Sequence, residues 1–105
     1  IVDRVKDMVI VSGFNCYPGE IEVVIAAVPG VQEVGVAGVP DDKSGEAPAA
    51  FVVKASADVT EAAIIATCES QLTAYKRPKH IQFVDELPKS PVGKVLRREL
   101  RELLR

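Results

Sequence analysis

The feature that most constrains the fold is a pair of valine-rich segments separated by a turn-forming cluster. Residues 31–39 and 49–54 have the composition of β-strands, and Val34 and Val36 fall on one side of the first segment. Residues 40–45, which read PDDKSG, are rich in side chains that favour turns. The sequence therefore predicts a β-hairpin.

Helices are predicted before and after this hairpin. Apolar side chains recur with helical spacing in residues 18–28, and Pro18 suits the first turn because its missing N–H would be unsatisfied there anyway. Pro29 and Gly30 end that helix. Asp58 and Glu61 have the spacing of a capping box, which predicts a second helix that carries Ile64, Ile65, Cys68 and Leu72.

Shorter elements complete the predicted order. Residues 8–12 and 81–84 are predicted as strands, and residues 13–16 as a turn. A last helix is predicted from the leucine spacing at Leu96, Leu100, Leu103 and Leu104. The expected fold is α+β, a small sheet with about three packed helices in the order β-α-β-β-α-β-α.

Composition excludes several classes of function. A net charge of −2 over 105 residues gives no case for nucleic-acid binding. Cys16 and Cys68 are too few for a disulfide framework and lack metal-ligand spacing, so we expect no metal site and reduced thiols in a cytoplasmic protein. The chain begins abruptly with apolar residues, and we expect it to be part of a longer protein.

The motif PVGKV places Lys94 in a Pro/Gly-shaped loop before a helix, where a cation opposes the helix dipole. Lys94 is either a surface charge or a cation held for a phosphate. A P-loop is excluded because the earlier glycine and the following Ser or Thr are missing, so any nucleotide must be held elsewhere. The one histidine, His80, is interpreted as a surface residue.

Three stretches taken together resemble one family. Residues 3–22 (DRVKDMVIVSGFNCYPGEIE), 28–53 (VPGVQEVGVAGVPDDKSGEAPAAFVV) and 75–100 (YKRPKHIQFVDELPKSPVGKVLRREL) are similar to the C-terminal domain of acyl-CoA synthetases, which are adenylate-forming enzymes. The resemblance spans essentially the whole chain. It is closest to the fatty-acid–CoA ligases, and it implies adenylation of a carboxylate by MgATP followed by acyl transfer to coenzyme A.

This resemblance implies roles for individual residues. Lys94 matches the lysine that bridges carboxylate and phosphate during adenylation. Residues 1–7 match the hinge to an N-terminal domain, in which Lys6 absorbs the backbone rotation and Arg4 contacts the nucleotide ribose. Residues 8–105 then form the mobile C-terminal domain.

A second group of residues is implied to serve the coenzyme. Ser12, Gly13 and Phe14 match the loop that meets coenzyme A in the thioester-forming state, and Gly13 lets the backbone approach a ligand closely. Asn15 is implied to approach the nucleotide phosphate, and Lys76 a coenzyme A phosphate.

The resemblance also implies partners outside this sequence. They are the chain's own N-terminal adenylation domain, which would hold most of the Mg²⁺–ATP site, together with the acyl-adenylate and coenzyme A. Peripheral membrane association of the full-length enzyme stays open. Ile10 stands where some relatives carry a lysine, so a phosphate role is absent there, and this chain alone is expected to be inactive.

Two alternatives remain at this point. Within the superfamily, the chain could serve an aryl-acid–CoA ligase or a ligase that feeds a carrier protein, because the acyl pocket would lie in the other domain. Outside it, a non-catalytic α+β interaction module would make Lys94 and Gly13 ordinary loop residues.

Overall fold

The computed structural model describes residues 8–43, 45–93 and 95–103. The elements in chain order are β1 (Val9–Val11), β2 (Phe14–Cys16), α1 (Pro18–Ala26), β3 (Val31–Asp41), β4 (Gly45–Lys54), α2 (Glu61–Gln71), β5 (His80–Phe83) and α3 (Arg97–Leu100), with 3₁₀ turns at Ala74–Lys76 and Arg101–Leu103.

A five-stranded sheet built around β4 forms the centre of the fold. β3 and β4 are antiparallel along their whole length, from Val31 opposite Lys54 to Asp41 opposite Gly45, which confirms the predicted hairpin. The other edge of β4 pairs first with β1, antiparallel, and further along with β5, parallel. β2 extends the sheet beyond β1.

The two faces of the sheet bury separate apolar clusters, because alternate residues of a strand point to opposite faces. On one face α1 and α2 cover the sheet, and the cluster includes Val9, Val11, Ile21, Ile25, Val36, Val52, Ile64 and Cys68. On the other face the C-terminal segment covers it, and the cluster includes Ala37, Val39, Phe51, Val53, Leu87 and Leu100. The sheet therefore lies between two layers.

Local signals explain where the two long helices begin. α1 starts at Pro18 with no side-chain cap from Tyr17, as expected where proline occupies the first helical position. α2 is capped by Thr60, whose hydroxyl oxygen accepts a hydrogen bond from the Ala63 N–H at 3.1 Å. Val59 and Ile64, which flank this cap, are both buried, the arrangement of a hydrophobic staple.

Two predictions about these elements were wrong. Residues 14–16 form β2 rather than part of a turn, so the order begins β-β-α. Thr60 caps α2 rather than Asp58, whose own N–H donates to the Ser56 hydroxyl in the preceding turn. Of the four residues predicted for this helix, Ile64 and Cys68 are buried in α2, Ile65 lies in α2 but is 38% exposed, and Leu72 is the buried residue that follows its last turn.

The predicted third helix is also shorter than expected. A single α-helical turn, Arg97–Leu100, continues as a 3₁₀ turn, so the described residues contain two full helices rather than about three. Leu100 is nevertheless buried, as its spacing predicts. The α+β class is confirmed.

Both cysteines are buried thiols, and they pack in the cluster beneath the helices, as their small apolar character suggests. Within the described ranges, none of the helices has the length and apolar character needed to cross a bilayer.

Candidate functional site

Ser12 and Gly13 form a two-residue turn at the tip of the β1–β2 hairpin. Their φ angles are 51° and 84°, and Val11 lies opposite Phe14 across the turn, which is the geometry of a type I′ hairpin. Glycine adopts positive φ readily because it has no Cβ. A Cβ on Gly13 would have no other atom within 4 Å, so the backbone of this turn is open to an incoming molecule.

The residues that follow the turn stay at the surface. Phe14 is 57% exposed, and Asn15, opposite Ile10, is exposed as well. The four residues predicted to meet a coenzyme or nucleotide, Ser12 to Asn15, therefore lie together on one exposed hairpin. An apolar ring beside open backbone suits an amide-containing chain, which has both apolar and hydrogen-bonding groups.

Lys76 reaches this hairpin from a distant part of the sequence. The 3₁₀ turn Ala74–Lys76 packs against β2. The Lys76 ammonium forms an ion pair with Glu20 in the first turn of α1, with 2.7 Å between Nζ and Oε1. The Glu20 carboxylate is also favourable at the positive end of the helix dipole. The predicted phosphate-binding lysine thus lies beside the hairpin with its charge already balanced.

Arg77 and Lys79, which lie in the same basic segment as Lys76 (residues 74–80), make contacts with other parts of the domain. The Arg77 guanidinium donates to the carbonyl oxygens of Leu72 and Glu69, at 3.0 Å each, and so satisfies carbonyls at the C-terminal end of α2. Lys79 pairs with Asp41 at 3.0 Å.

Burial raises the pKa of the Cys68 thiol above its ordinary value, and the nearby charge of Arg77 acts in the opposite direction.

A second exposed feature is the loop at residues 88–96. Lys89 and Val95 form an antiparallel bridge, and the Leu96 N–H donates to the Pro88 carbonyl at 2.9 Å. Inside this closure the Gly93 N–H donates to the Ser90 carbonyl at 2.9 Å. The backbone on both sides of position 94 is therefore tied into a compact loop.

The buried side chains of the two features pack on opposite faces of the sheet. Val9 and Val11 of the hairpin belong to the cluster under α1 and α2, whereas Val95 of the loop packs against the cluster under the C-terminal segment. On β3, a Cβ at Gly35 would lie 3.2 Å from Val95 Cγ1. A Cβ at Gly38 would instead lie 3.0 Å from Val9 Cγ2.

Three predicted site residues fall outside the described residues, namely Arg4, Lys6 and Lys94. Their roles stay predictions, as do those of Ser12, Gly13, Phe14, Asn15 and Lys76, although the structure brings this second group together. His80 lies exposed at the start of β5, opposite Ala49. Glu20 was missed at the level of sequence, because nothing local signals that its carboxylate has a partner 56 positions away.

Comparison with known proteins gives one consistent answer. Residues 20–94 match the family described as AMP-binding enzyme C-terminal domain. Among curated relatives, a long-chain-fatty-acid–CoA ligase of Escherichia coli O6:H1 is 60% identical over 102 residues, which is 97% of this chain and 18% of the relative.

Comparison with solved structures indicates the same group of enzymes. A Mycobacterium tuberculosis fatty acyl CoA synthetase superposes with a TM-score of 0.91 at 50% identity, covering 96% of this chain and 20% of that one. The o-succinylbenzoate CoA synthetase of Bacillus subtilis, solved in complex with the acyl-adenylate intermediate OSB-AMP, gives 0.90 at 36% identity, covering 94% of this chain and 20% of that one. The chain therefore spans about a fifth of the length of these proteins.

Proposed function

Because the chain belongs to the AMP-binding enzyme C-terminal domain family, we propose that it serves an ATP- and coenzyme-A-dependent acyl ligase whose substrate is a fatty acid. The observation that carries this proposal is the 60% identity to a long-chain-fatty-acid–CoA ligase across 97% of the chain. In the proposed reaction, a carboxylate oxygen attacks the α-phosphorus of ATP and expels pyrophosphate. The thiol sulfur of coenzyme A then attacks the acyl carbon, loses its proton and expels AMP.

In the first step Lys94 is the proposed catalytic residue. A cation placed between the carboxylate and the phosphate would offset charge that develops at phosphorus in the transition state. The bridge between Lys89 and Val95 supports this role, since it closes the loop around position 94. A loop with a fixed backbone can present one side chain at a defined place.

In the second step the Ser12–Gly13 turn is the proposed contact with coenzyme A. Its open backbone and the exposed ring of Phe14 can line the path of the pantetheine arm. Lys76, next to β2, is proposed to meet a phosphate of the coenzyme. Asn15, on the same hairpin, and Arg4 are proposed to contact the nucleotide.

The opposite placement of the hairpin and the 88–96 loop supports a domain that works in two orientations. Buried side chains of the hairpin and of the loop pack on different faces of the sheet, so a rigid domain would use different orientations to present each feature to one pocket. Rotation about Lys6 would bring the 88–96 loop to the pocket for the first step and the hairpin to it for the second. ATP and its Mg²⁺ would be held mainly by the N-terminal adenylation domain.

The test of this function separates the two half-reactions in the full-length enzyme. Acid-dependent pyrophosphate exchange reports adenylation, and release of AMP from preformed acyl-adenylate on addition of coenzyme A reports thioester formation. We expect Lys94→Ala to lower adenylation by about 10²–10³-fold, the usual effect of removing one group that stabilises transition-state charge, and to spare thioester formation. The matched control is Lys43→Ala, an exposed lysine in the β3–β4 turn. Equal behaviour of the two variants would reject the role of Lys94.

A second candidate substrate class is an aromatic acid. The likeness to an o-succinylbenzoate CoA synthetase favours it, at 36% identity against 60% for the Escherichia coli fatty-acid enzyme. Adenylation assays with a series of straight-chain fatty acids and with benzoate derivatives separate the two. Comparing coenzyme A with a phosphopantetheinyl carrier protein as the acceptor identifies the thiol.

A further inference from the structure

The β1–β2 hairpin has a weak backbone attachment to the rest of the sheet. Within the described parts of the chain, β1 is in register with β4 only where Val11 lies opposite Gly45. Its remaining backbone pairing is to β2, which forms the edge of the sheet. Side-chain contacts of β1 therefore contribute to the angle at which the Ser12–Gly13 turn projects.

The side chain of Glu46 supplies a second attachment. Its Oε1 accepts a hydrogen bond from the backbone N–H of Ile10 at 2.9 Å. The donor is a main-chain amide of β1 and the acceptor belongs to a residue of β4, so this bond links the same two strands as the backbone pair. Hydrogen bonds to a carboxylate are stronger than those between neutral groups.

The surroundings of Glu46 hold its carboxylate in place. Gly38 on β3 lies beneath it: a Cβ at this position would come within 3.2 Å of Glu46 Oε2 and within 3.0 Å and 3.1 Å of the two Val9 methyl groups. Glycine at position 38 thus leaves the space that Glu46 and Val9 occupy. Val9 is fully buried, so strand β1, the carboxylate and β3 pack together at this point.

We propose that Glu46 is a positioning residue for the thioester-forming step, which acts by holding β1 so that the Ser12–Gly13 turn meets coenzyme A in the correct alignment. This inference rests on the proposed function of the turn. Glu46 itself need not touch the coenzyme. Because reaction rates are sensitive to misplacement of about 1 Å, loosening this one attachment affects the step that uses the hairpin and spares the step that uses the opposite face.

The experiment compares three variants in the full-length enzyme. Glu46→Ala removes the acceptor, Glu46→Gln keeps an acceptor oxygen without the charge, and Glu69→Ala removes an exposed carboxylate from α2 as the matched control. Each is assayed for acid-dependent pyrophosphate exchange and for the conversion of preformed acyl-adenylate with coenzyme A. Gly38→Ala, which crowds the same carboxylate from β3, is an independent fourth variant.

We expect Glu46→Ala to lower kcat/KM for coenzyme A by about tenfold or more, with pyrophosphate exchange unchanged. Glu46→Gln should recover most of the loss, Glu69→Ala should match the wild type, and Gly38→Ala should show the same selective defect. A loss of both half-reactions in parallel would assign Glu46 to general stability and overturn the inference, as would a Glu46→Ala enzyme that behaves like Glu69→Ala. If the wild type forms acyl-adenylate but no acyl-CoA, the proposed coenzyme fails, and this inference fails with it.

Discussion

Lys76 and Glu20, which are 56 positions apart in the sequence, form an ion pair with 2.7 Å between Nζ and Oε1. The pair fastens the 3₁₀ turn Ala74–Lys76 to the first turn of α1, next to the strand that follows the Ser12–Gly13 turn. A phosphate that binds Lys76 must therefore compete with a carboxylate. The pair also ties the turn to the helix.

Lys76→Ala should raise the KM for coenzyme A by about three- to tenfold, a modest effect because exposed charges are screened by water and salt. The KM for pantetheine, which lacks the phosphates, should not change. The control is Lys54→Ala, whose ammonium lies 4.2 Å from the centre of the Phe83 ring instead. If both variants raise the KM for coenzyme A equally, Lys76 does not meet a phosphate.

Gly30→Ala should destabilise the 105-residue chain more than Gly13→Ala. Both glycines have positive φ, 90° and 84°, which costs a side-chain-bearing residue about 1–2 kcal/mol. At Gly30 the new methyl group would also collide with Cγ2 of Val59, whereas at Gly13 it would meet open space. Overpacking adds about 1–3 kcal/mol.

Urea denaturation of the two glycine variants measures this difference in the free energy of unfolding. The double variant Gly30→Ala/Val59→Ala should be less destabilised than the sum of its single variants, since truncating Val59 removes the collision. Strict additivity would show that Val59 is not the obstacle.

Arg77→Ala should lower the free energy of unfolding by about 1–3 kcal/mol, because two carbonyl groups at the end of α2 lose a charged donor. Arg77→Lys should recover only part of this, since an ammonium cannot reproduce the planar fork of a guanidinium. Thermal and urea denaturation measure both variants. Arg101→Ala, an exposed arginine in the last 3₁₀ turn, is the control. An equally large loss of stability in Arg101→Ala would mean that removal of a positive charge, rather than of the two hydrogen bonds, causes the effect.

Cys68 should make the stability of the chain depend on pH in the alkaline range. Burial raises the pKa of this thiol above its ordinary value of 9.0, so above pH 9.0 the unfolded chain loses the proton before the folded one does. The stabilisation is complete below the unfolded pKa and is lost as the pH rises through the folded pKa.

The measurement for Cys68 is the free energy of unfolding of the wild type and of Cys68→Ala between pH 8 and pH 10. The wild type should lose more stability over this range than the variant, since other alkaline titrations are common to both. Curves that fall in parallel would mean that the thiol titrates alike in the folded and unfolded chains.

Long elements with repeated side-chain patterns could be predicted from the sequence. The β3–β4 hairpin was predicted from two valine-rich segments around a turn cluster, and α1 from its apolar spacing and Pro18, and both are present. β2 was missed because three residues are too few to show alternation. The turn before it also begins with Ser12, a residue with no marked preference for its φ of 51°.

The candidate site, too, could be predicted from the sequence only in part. The residues of the hairpin are adjacent in the sequence, so a resemblance to one motif was enough to predict ligand contacts for Ser12, Gly13, Phe14 and Asn15 together. The contacts of Lys76 with Glu20 and of Ile10 with Glu46 join residues 56 and 36 positions apart. No local pattern encodes such pairs, since they form only when folding brings β4 beside β1 and the Ala74–Lys76 turn beside the start of α1.

The shared edge of β4 has a consequence for how the domain opens. β1 and β5 lie end to end along that edge, with β1 in register at Gly45 and β5 in register from Ala49 to Val52. Detaching the hairpin therefore breaks none of the β4–β5 hydrogen bonds. In native-state hydrogen exchange the amides of β1 and β2 should form a separate, less protected unit, while those of β3 and β4 exchange only when the whole domain unfolds.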